Sequence, residues 1–565
     1  MVRLPTFSRH RLAPVLVGST LAATALAFLV AGGARSAPPT PPPPPAGEVA
    51  LRVACNAPTH RIDPAIYGIG YYPLTDAKDG YLWGLSPGAR RWGGNHTSRY
   101  NWRLGNAWNT ADDWFFRNVD YTGRPGFSWE DFLRDNRRHR VGTALTIPMM
   151  GWVAKDTRSA GFPTALYPPQ QRTDPDHPDA GDGHGLDGRP LPPGPPDRTS
   201  VPFGPEDAGA WVKAIRAFDA REGGGRSVNV YMLDNEPMLW HKTHRDVHPS
   251  PTGYDELRDR TIAYARAIRR ADPGARIAGG VLWGWPAYFF SAKDQEAGFR
   301  RKPDRRAHGD VPLLAWLLRE VANEEKRTGE HLLDLVDVHW YPQDLPKDGE
   351  DRALWERRLR STRSLWDGTF RDESWIDEQV RLLPRMAEII AENHPGLDLQ
   401  LGEYNFGGER DMSGAMALAE ALGRFGQAPN LSGAYYWTYP PAGSPAANAF
   451  RAFRSYDGKG ARFLDLGVPT EAPAGTSLFA SRDATGHRLV LVALNHDTLY
   501  PRDARIVLDG CPGVTGTRGF VYAKGAPDLA PTEVTMGRDG SPRVTLQPFS
   551  ITVIELTTTA VARGR

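Results

Sequence analysis

Two hydrophobic rhythms alternate along most of the chain. Short apolar runs of β type stand at Ile66–Gly70, Ala89–Trp92, Thr143–Ile147, Val228–Leu233, Arg276–Leu282, Leu333–His339, Leu397–Gly402 and Gly433–Trp437. Longer stretches with apolar residues at i, i+3 and i+4, one face of a helix, occupy Pro205–Arg221, Tyr254–Ala271, Pro312–Lys326, Trp375–Glu392 and Ser413–Phe425. Asp272-Pro273-Gly274 ends the second of these, and His394-Pro395-Gly396 follows the fourth, as helix C-terminal signals should. Strands that alternate with helices predict an α/β fold, here a (β/α)8 TIM barrel over 61–460 with long loops.

Beyond residue 460 the helical rhythm stops. Ser477–Ser481, Arg488–Asn495, Ala504–Leu508, Gly519–Tyr522 and Val544–Leu556 read as short strands between Gly, Pro and Asp turns. They predict a small antiparallel β-sandwich domain over 461–560. Val49–Asn56, within 48–60, also reads as a strand and could join that sandwich from the other end of the chain. Cys55 and Cys511, the only two cysteines, could then pair; two independent buried thiols are the alternative. The segment from Thr157 to Pro205 carries no periodic pattern and is rich in Pro, Gly and Asp. It follows the third barrel strand, which puts it on the face where barrel active sites lie, and it is expected to be a solvated, mobile loop. Its Asp174, Asp176, Asp179, Asp182 and Asp187 could instead hold a hard cation such as Ca2+.

Composition narrows the partners. Of 565 residues, 40% are hydrophobic and 24% charged, as in ordinary soluble proteins. The formal charge is +2, but Arg3, Arg9, Arg11 and Arg35 precede any acidic residue, so removing that segment leaves about −2. A near-neutral protein has no long-range field for nucleic acid or anionic lipid. The basic start, the apolar run from Leu12 to Ala31 and the small residues Gly32 to Ala34 read as an export signal over 1–36. An uncleaved membrane anchor is the competing reading. The stretch 37–47, with Pro38 to Pro45, reads as a stiff polyproline linker. The mature protein is thus expected to be secreted, free of the membrane and monomeric, with a neutral partner.

Two carboxylates carry the candidate chemistry. Tyr231-Met232-Leu233-Asp234-Asn235-Glu236-Pro237 ends the fourth strand and Leu401-Gly402-Glu403-Tyr404-Asn405 ends the seventh. Strand carboxyl ends are where barrel enzymes place catalytic groups, and these two face each other across the mouth. Glycosidic cleavage needs such a pair: one neutral carboxyl to protonate the leaving oxygen and one carboxylate to attack, about 5–5.5 Å apart when configuration is retained. At that spacing the charge of one keeps its partner protonated. Asn235 can hydrogen-bond a sugar hydroxyl, and Trp92, Trp240, Trp340 and Trp437, with Trp152, Trp283 and Trp285, can stack on sugar faces. His241, His244 and His248 lack a helical spacing and read as loop histidines, not a metal site. Gly223 to Gly225 reads as a turn.

Several stretches together resemble glycoside hydrolase family 44, the endoglucanase and xyloglucanase family: Arg91-Trp92-Gly93-Gly94-Asn95 with Arg99-Tyr100-Asn101-Trp102, Leu145-Thr146-Ile147-Pro148, Leu233 to Trp240, Asp337-Val338-His339-Trp340-Tyr341-Pro342, Gly402-Glu403-Tyr404 and Tyr456-Asp457-Gly458-Lys459-Gly460. The resemblance implies a barrel joined to a β-sandwich, Glu236 as acid/base and Glu403 as nucleophile. It also implies retaining hydrolysis of β-1,4-glucans and xyloglucan, with Asn95, His339, Tyr341 and Tyr404 among the substrate-binding residues. No cofactor is required, although some members carry calcium. The eighth-strand segment Tyr435 to Pro441 departs from the family pattern, which bears on subsite preference. A xylanase or mannanase with the same glutamate pair and a non-catalytic glycan-binding protein remain as alternatives.

Overall fold

The computed structural model describes residues 47–559 except 74–79, 124–125 and 350. The export signal and all but the last residue of the linker lie outside them. Eight parallel strands close into a barrel in chain order: β1 Gly68–Tyr71, β2 Ala89–Trp92, β3 Gly142–Ile147, β4 Val230–Leu233, β5 Ile277–Leu282, β6 Leu335–Trp340, β7 Asp398–Tyr404 and β8 Leu431–Tyr436. From β2 onward each strand is followed by a packing helix: α1 Ser128–His139, α2 Pro205–Arg221, α3 Tyr254–Ala271, α4 Leu313–Thr328, α5 Leu382–Asn393, α6 Met412–Gln427 and α7 Pro445–Arg454. In α3 the buried residues are Tyr254, Leu257, Thr261, Tyr264, Ala265 and Ile268, the i, i+3, i+4 stripe that its sequence predicts. Burying each large apolar side chain of that stripe contributes roughly 1.5–3 kcal/mol.

The helix expected from Trp375 starts only at Leu382. Asp377 and Arg381 adopt positive φ (46° and 36°), and Trp375 is 53% exposed, its backbone N–H donating to Asp344. Pro384 explains the difference. In a helix from Trp375 it would sit mid-helix and delete a hydrogen bond, whereas in the first turn its missing N–H has no partner to lose.

Alternation along the strands decides what reaches the barrel interior. Ala89, Ala144, Val230, Met232, Ala278, Leu335 and Tyr435 form an apolar floor there. Two residues beyond Ala89, Arg91 points inward too. Arg90 and Trp92 point the other way, toward α1: Arg90 donates to Asn136 at 2.9 Å, and the Trp92 ring lies 5.3 Å from that of Phe132. A bulge between Val338/Leu401 and His339/Glu403 changes the register of β6 against β7. It inserts Gly402, so that both Gln400 and Glu403 face the interior. A side chain could not replace Gly402, because its Cβ would come 2.3 Å from the Asp337 carboxylate.

Outside the barrel and two short two-stranded pairings in its loops, the strands form two stacked sheets. Val49–Ala54 runs parallel to Arg502–Asp509 in a five-stranded sheet, and Cys55 is disulfide-bonded to Cys511. The second sheet has seven strands, including Thr476–Arg482, Arg488–Asn495 and Ser550–Thr558. Leu51, Val53, Leu491, Ile506, Leu546 and Ile554 pack between the sheets. Phe479, Val490, Val492, Ile551 and Val553 join the core shared with the barrel helices. A sheet covered on both faces explains the unbroken run Leu489 to Leu494. The single strand expected over Val544–Leu556 is two, Pro542–Leu546 and Ser550–Thr558, in different sheets. Gln547-Pro548-Phe549 turns the chain between them, with Phe549 at φ 44°.

The loop after β3 is built, not merely solvated. Trp152–Ala154 pairs with Ser200–Pro202, and buried Asp174 pairs with Arg117 at 2.7 Å. Asp182 pairs with Arg172 and Asp187 with Arg189. Among the described residues no three of the loop's aspartates meet as ligands. No helix of the described residues is long and apolar enough to cross a membrane.

Candidate active site

At the carboxyl ends of the strands one oxygen of Glu236, one of Glu403 and a ring nitrogen of His339 lie within 4.8 Å of one another. Glu236 stands just past β4, between two constraints. Asp234 and Glu236 both adopt positive φ (65° and 46°), a conformation that non-glycine residues hold only where their surroundings over-determine it. The buried Asp234 carboxylate supplies that determination. It accepts from Ser98 at 2.5 Å, from the backbone of Asn235 at 2.7 Å, and from the backbone N–H groups of Met149 and Met150 beyond β3.

Glu403 is 5% exposed and saturated with donors. Arg91, wholly buried, donates to its Oε1 at 2.6 Å and Tyr341 to its Oε2 at 2.8 Å. The other Arg91 terminal nitrogen donates to Asn235 Oδ1 at 2.8 Å. Burial pushes the Glu403 carboxyl up, but the charges of His339 and Arg91 and the hydrogen bonds from Tyr341 and Arg91 outweigh it and hold the group below its ordinary range. His339 Nδ1 lies 2.8 Å from Glu236 Oε1 and 3.6 Å from Glu403 Oε2. Burial lowers the basicity of His339, yet Glu403 and the contact with Glu236 outweigh this and raise it. Beneath these groups, Asp337 accepts from Gln400 and from the Gly402 backbone, and burial pushes its carboxyl up despite His339 and Arg91. The site is thus one carboxylate kept ionised by a buried cation, and a second in close contact with an imidazole.

Of the residues singled out in the sequence, Glu236, Glu403, Asn235, Asn95, Tyr341 and Trp437 come together. Trp437 lies beside Arg91, whose guanidinium carbon is 5.8 Å from the ring, and against Gly94, where a Cβ would be 2.5 Å from the indole. Four others do not reach the cleft, and their assignment to sugar binding is corrected. Trp92 and Trp340 sit at outward strand positions and are 0% and 1% exposed. Tyr404, also outward, packs on Phe425 of α6 with ring centroids 4.9 Å apart. Trp240 is buried, and its indole N–H donates to the Asn235 carbonyl at 3.1 Å. His339 is buried as well, and its Nδ1 lies against Glu236. His241 and His248 pair with Glu296 and Glu256, and His244 is buried; the three share no ligand cluster among the described residues. Sequence reasoning missed Arg91, Asp337 and Gln400. The available signal was parity, since two residues past Ala89 on a barrel strand means the same inward face.

Comparison with known proteins places this geometry. A family profile described as glycoside hydrolase family 44 matches residues 107–344. The structure superposes with a TM-score of 0.84 on CelM2, a bifunctional glucanase-xylanase from a metagenome library, at 32% identity over 91% of this chain and 99% of that one. A Paenibacillus polymyxa xyloglucanase of family 44, solved with xyloglucan, gives a TM-score of 0.73 at 25% identity, over 91% of this chain and all of that one. The beta-mannanase/endoglucanase A of Caldicellulosiruptor saccharolyticus is 27% identical over 520 residues, 85% of this chain. The chain spans 36% of the length of that relative.

Proposed function

The chain belongs to glycoside hydrolase family 44, and from that premise we propose that it is a secreted endo-acting hydrolase of β-1,4-glucans, xyloglucan included, that retains anomeric configuration. The observation that carries the mechanism is the 4.8 Å limit on the Glu236 and Glu403 oxygens. It leaves room for a sugar carbon and its leaving oxygen but not for the extra water that an inverting enzyme holds between carboxyls about 6.5–9.5 Å apart.

In this reading Glu403, ionised by Arg91 and Tyr341, attacks the anomeric carbon while Glu236 gives its proton to the departing oxygen. The C–O bond to the leaving chain breaks as the ester to Glu403 forms. Glu236, now a carboxylate, takes a proton from the incoming water, whose oxygen displaces Glu403 and restores both groups. Glu236 contacts His339 at 2.8 Å, and only Glu236 of the two faces the cleft. Glu236, His339 and Glu403 also have the spacing of a metal site. The permanent charge of Arg91 at 2.6 Å from Glu403 repels a divalent ion there. Export accords with the disulfide, which persists in oxidising compartments.

Relatives described as glucanase-xylanase and beta-mannanase/endoglucanase favour a second reading, a wider tolerance for β-1,4 backbones. Turnover of soluble cellulose, xyloglucan, xylan and mannan by wild type, Glu236→Gln and Glu403→Gln decides between them, with proton NMR of the first anomer released. Either variant should lose at least about 10³-fold in kcat, and the β-anomer should appear first. Near-normal turnover by either variant, or the α-anomer first, refutes the mechanism.

A further inference from the structure

One hydrogen-bonded chain leaves the active site toward the surface and has no part in the mechanism so far. Arg91 donates to Asn235 Oδ1 at 2.8 Å, Asn235 Nδ2 donates to Asn95 Oδ1 at 3.2 Å, and Asn95 Nδ2 donates to Asp113 at 3.2 and 3.4 Å. The orientation of a side-chain amide is normally a matter of inference. Here the inner end is unambiguous, because a guanidinium can only donate, and each amide in turn fixes the next. Only one orientation of the two asparagines satisfies all the links. Asn235 is left with one free N–H, and its Oδ1 is taken by Arg91.

The outer anchor is firmly held. Asp113 lies in the turn Ala111–Trp114 of the loop after β2. The Ala111 N–H donates to Asn109 Oδ1 at 2.9 Å, and the Trp114 indole donates to buried Asp174 at 3.0 Å. Ala111, Phe115 and Phe116 all have positive φ (54°, 60° and 50°), so this turn keeps an unfavourable backbone that its surroundings enforce. Asp113 itself is exposed, and core packing does not account for its placement.

We propose that Asp113 is a positioning residue: through Asn95 it holds the Asn235 amide so that its free N–H meets the 2-hydroxyl of the sugar under attack. Arg91 sets which end of the amide faces inward, and Asp113 sets where the other end stands. The 2-hydroxyl is the partner because Asn235 shares Arg91 with the nucleophile, which places the amide next to the carbon beside the anomeric centre. Hydrogen bonds to that hydroxyl strengthen at the transition state. The inference rests on the assignment of Glu403 as nucleophile.

The test compares kcat/KM for an aryl β-cellobioside and for its analogue lacking the 2-hydroxyl on the glucosyl unit that bears the aryl group. Wild type, Asn235→Ala, Asp113→Ala and Asp113→Asn are measured, and thermal melts check that each folds. The ratio of the two values isolates the 2-hydroxyl contact, which a general loss of structure would not change. Asp113→Ala should lower the ratio about 3–10-fold, with a melting temperature near that of wild type, as for an exposed side chain. Asp113→Asn, which keeps an acceptor for Asn95, should recover most of it. An unchanged ratio in Asp113→Ala, while Asn235→Ala collapses it, overturns the relay alone. An unchanged ratio in Asn235→Ala overturns the 2-hydroxyl contact and the relay with it. Wild type inert toward both glycosides removes the hydrolase reading itself.

Discussion

Replacing Arg91 by methionine keeps an unbranched, flexible stem, without its terminal guanidinium, and removes the charge. The guanidinium lies 2.6 Å from Glu403 Oε1 in a wholly buried position, so solvent screens the pair little. A carboxylate beside an arginine is typically held down by about 1–3 pH units, at about 1.36 kcal/mol per unit. His339 and Tyr341 still face Glu403 in the variant, so its carboxyl should rise without losing all of its stabilisation. The sign follows from the mechanism. The nucleophile must be ionised in the free enzyme, so its protonation draws the acid limb of kcat/KM against pH. A group held below its ordinary value keeps that limb at low pH, and releasing it moves the limb upward. Arg91→Lys keeps the charge but loses the fork that grips both Glu403 and Asn235. It should leave the limb within about 0.5 unit while lowering kcat/KM roughly 10–100-fold, the worth of charged hydrogen bonds of about 1.5–3 kcal/mol. Arg91→Met leaves buried Glu403 short of its cationic partner and should lose about 3–5 kcal/mol of stability, so the profiles belong well below the melting temperature. An unmoved limb in Arg91→Met, or equal shifts in both variants, would refute the claim that Arg91 charge holds Glu403 ionised.

Two further predictions concern the sheets and their contact with the barrel. Cys511→Ser should lose about 2–5 kcal/mol and lower the melting temperature in the absence of reductant; an unchanged melt would show that the Cys55–Cys511 bond contributes nothing. Glu420 of α6, 3% exposed, is held at about 2: burial pushes it up, but His496 and Arg424 outweigh this. Its stabilisation is complete above the unfolded carboxyl value near ~4.3 and is lost as pH falls toward 2, so Glu420→Gln should cost at most about 3 kcal/mol at pH 7 and clearly less near pH 3. Equal denaturation differences at both pH values would contradict it.

Local patterns made much of this architecture legible. Ala89–Trp92, Pro205–Arg221 and Tyr254–Ala271 match their elements end to end, because each pairs a strong period with clear punctuation. Pro384 and Pro548 mark the two places where an apolar run was carried too far. Glu236 and Glu403 were legible because a carboxyl at a barrel strand's end has little structural use. The aromatics misled for a geometric reason: Trp92, Trp340 and Tyr404 lie near the right strand ends but on the wrong side of the sheet. Arg91 and the Gly402 bulge were harder, since inward facing at β7 depends on a register that only the pairing with β6 sets.

The parallel pairing of Val49–Ala54 with Arg502–Asp509 has a consequence for biosynthesis. The strand leaves the ribosome about 450 residues ahead of its neighbour; at about 5–20 residues per second it waits on the order of 20–90 s. For most of that interval Leu51 and Val53, destined for complete burial, lack the neighbouring strand that runs along their whole length. A nascent chain halted before Arg502 would therefore display a folded barrel and a sticky leading strand paired along one edge only, at Arg52 and Val53, the species that a chaperone or an aggregate would capture first.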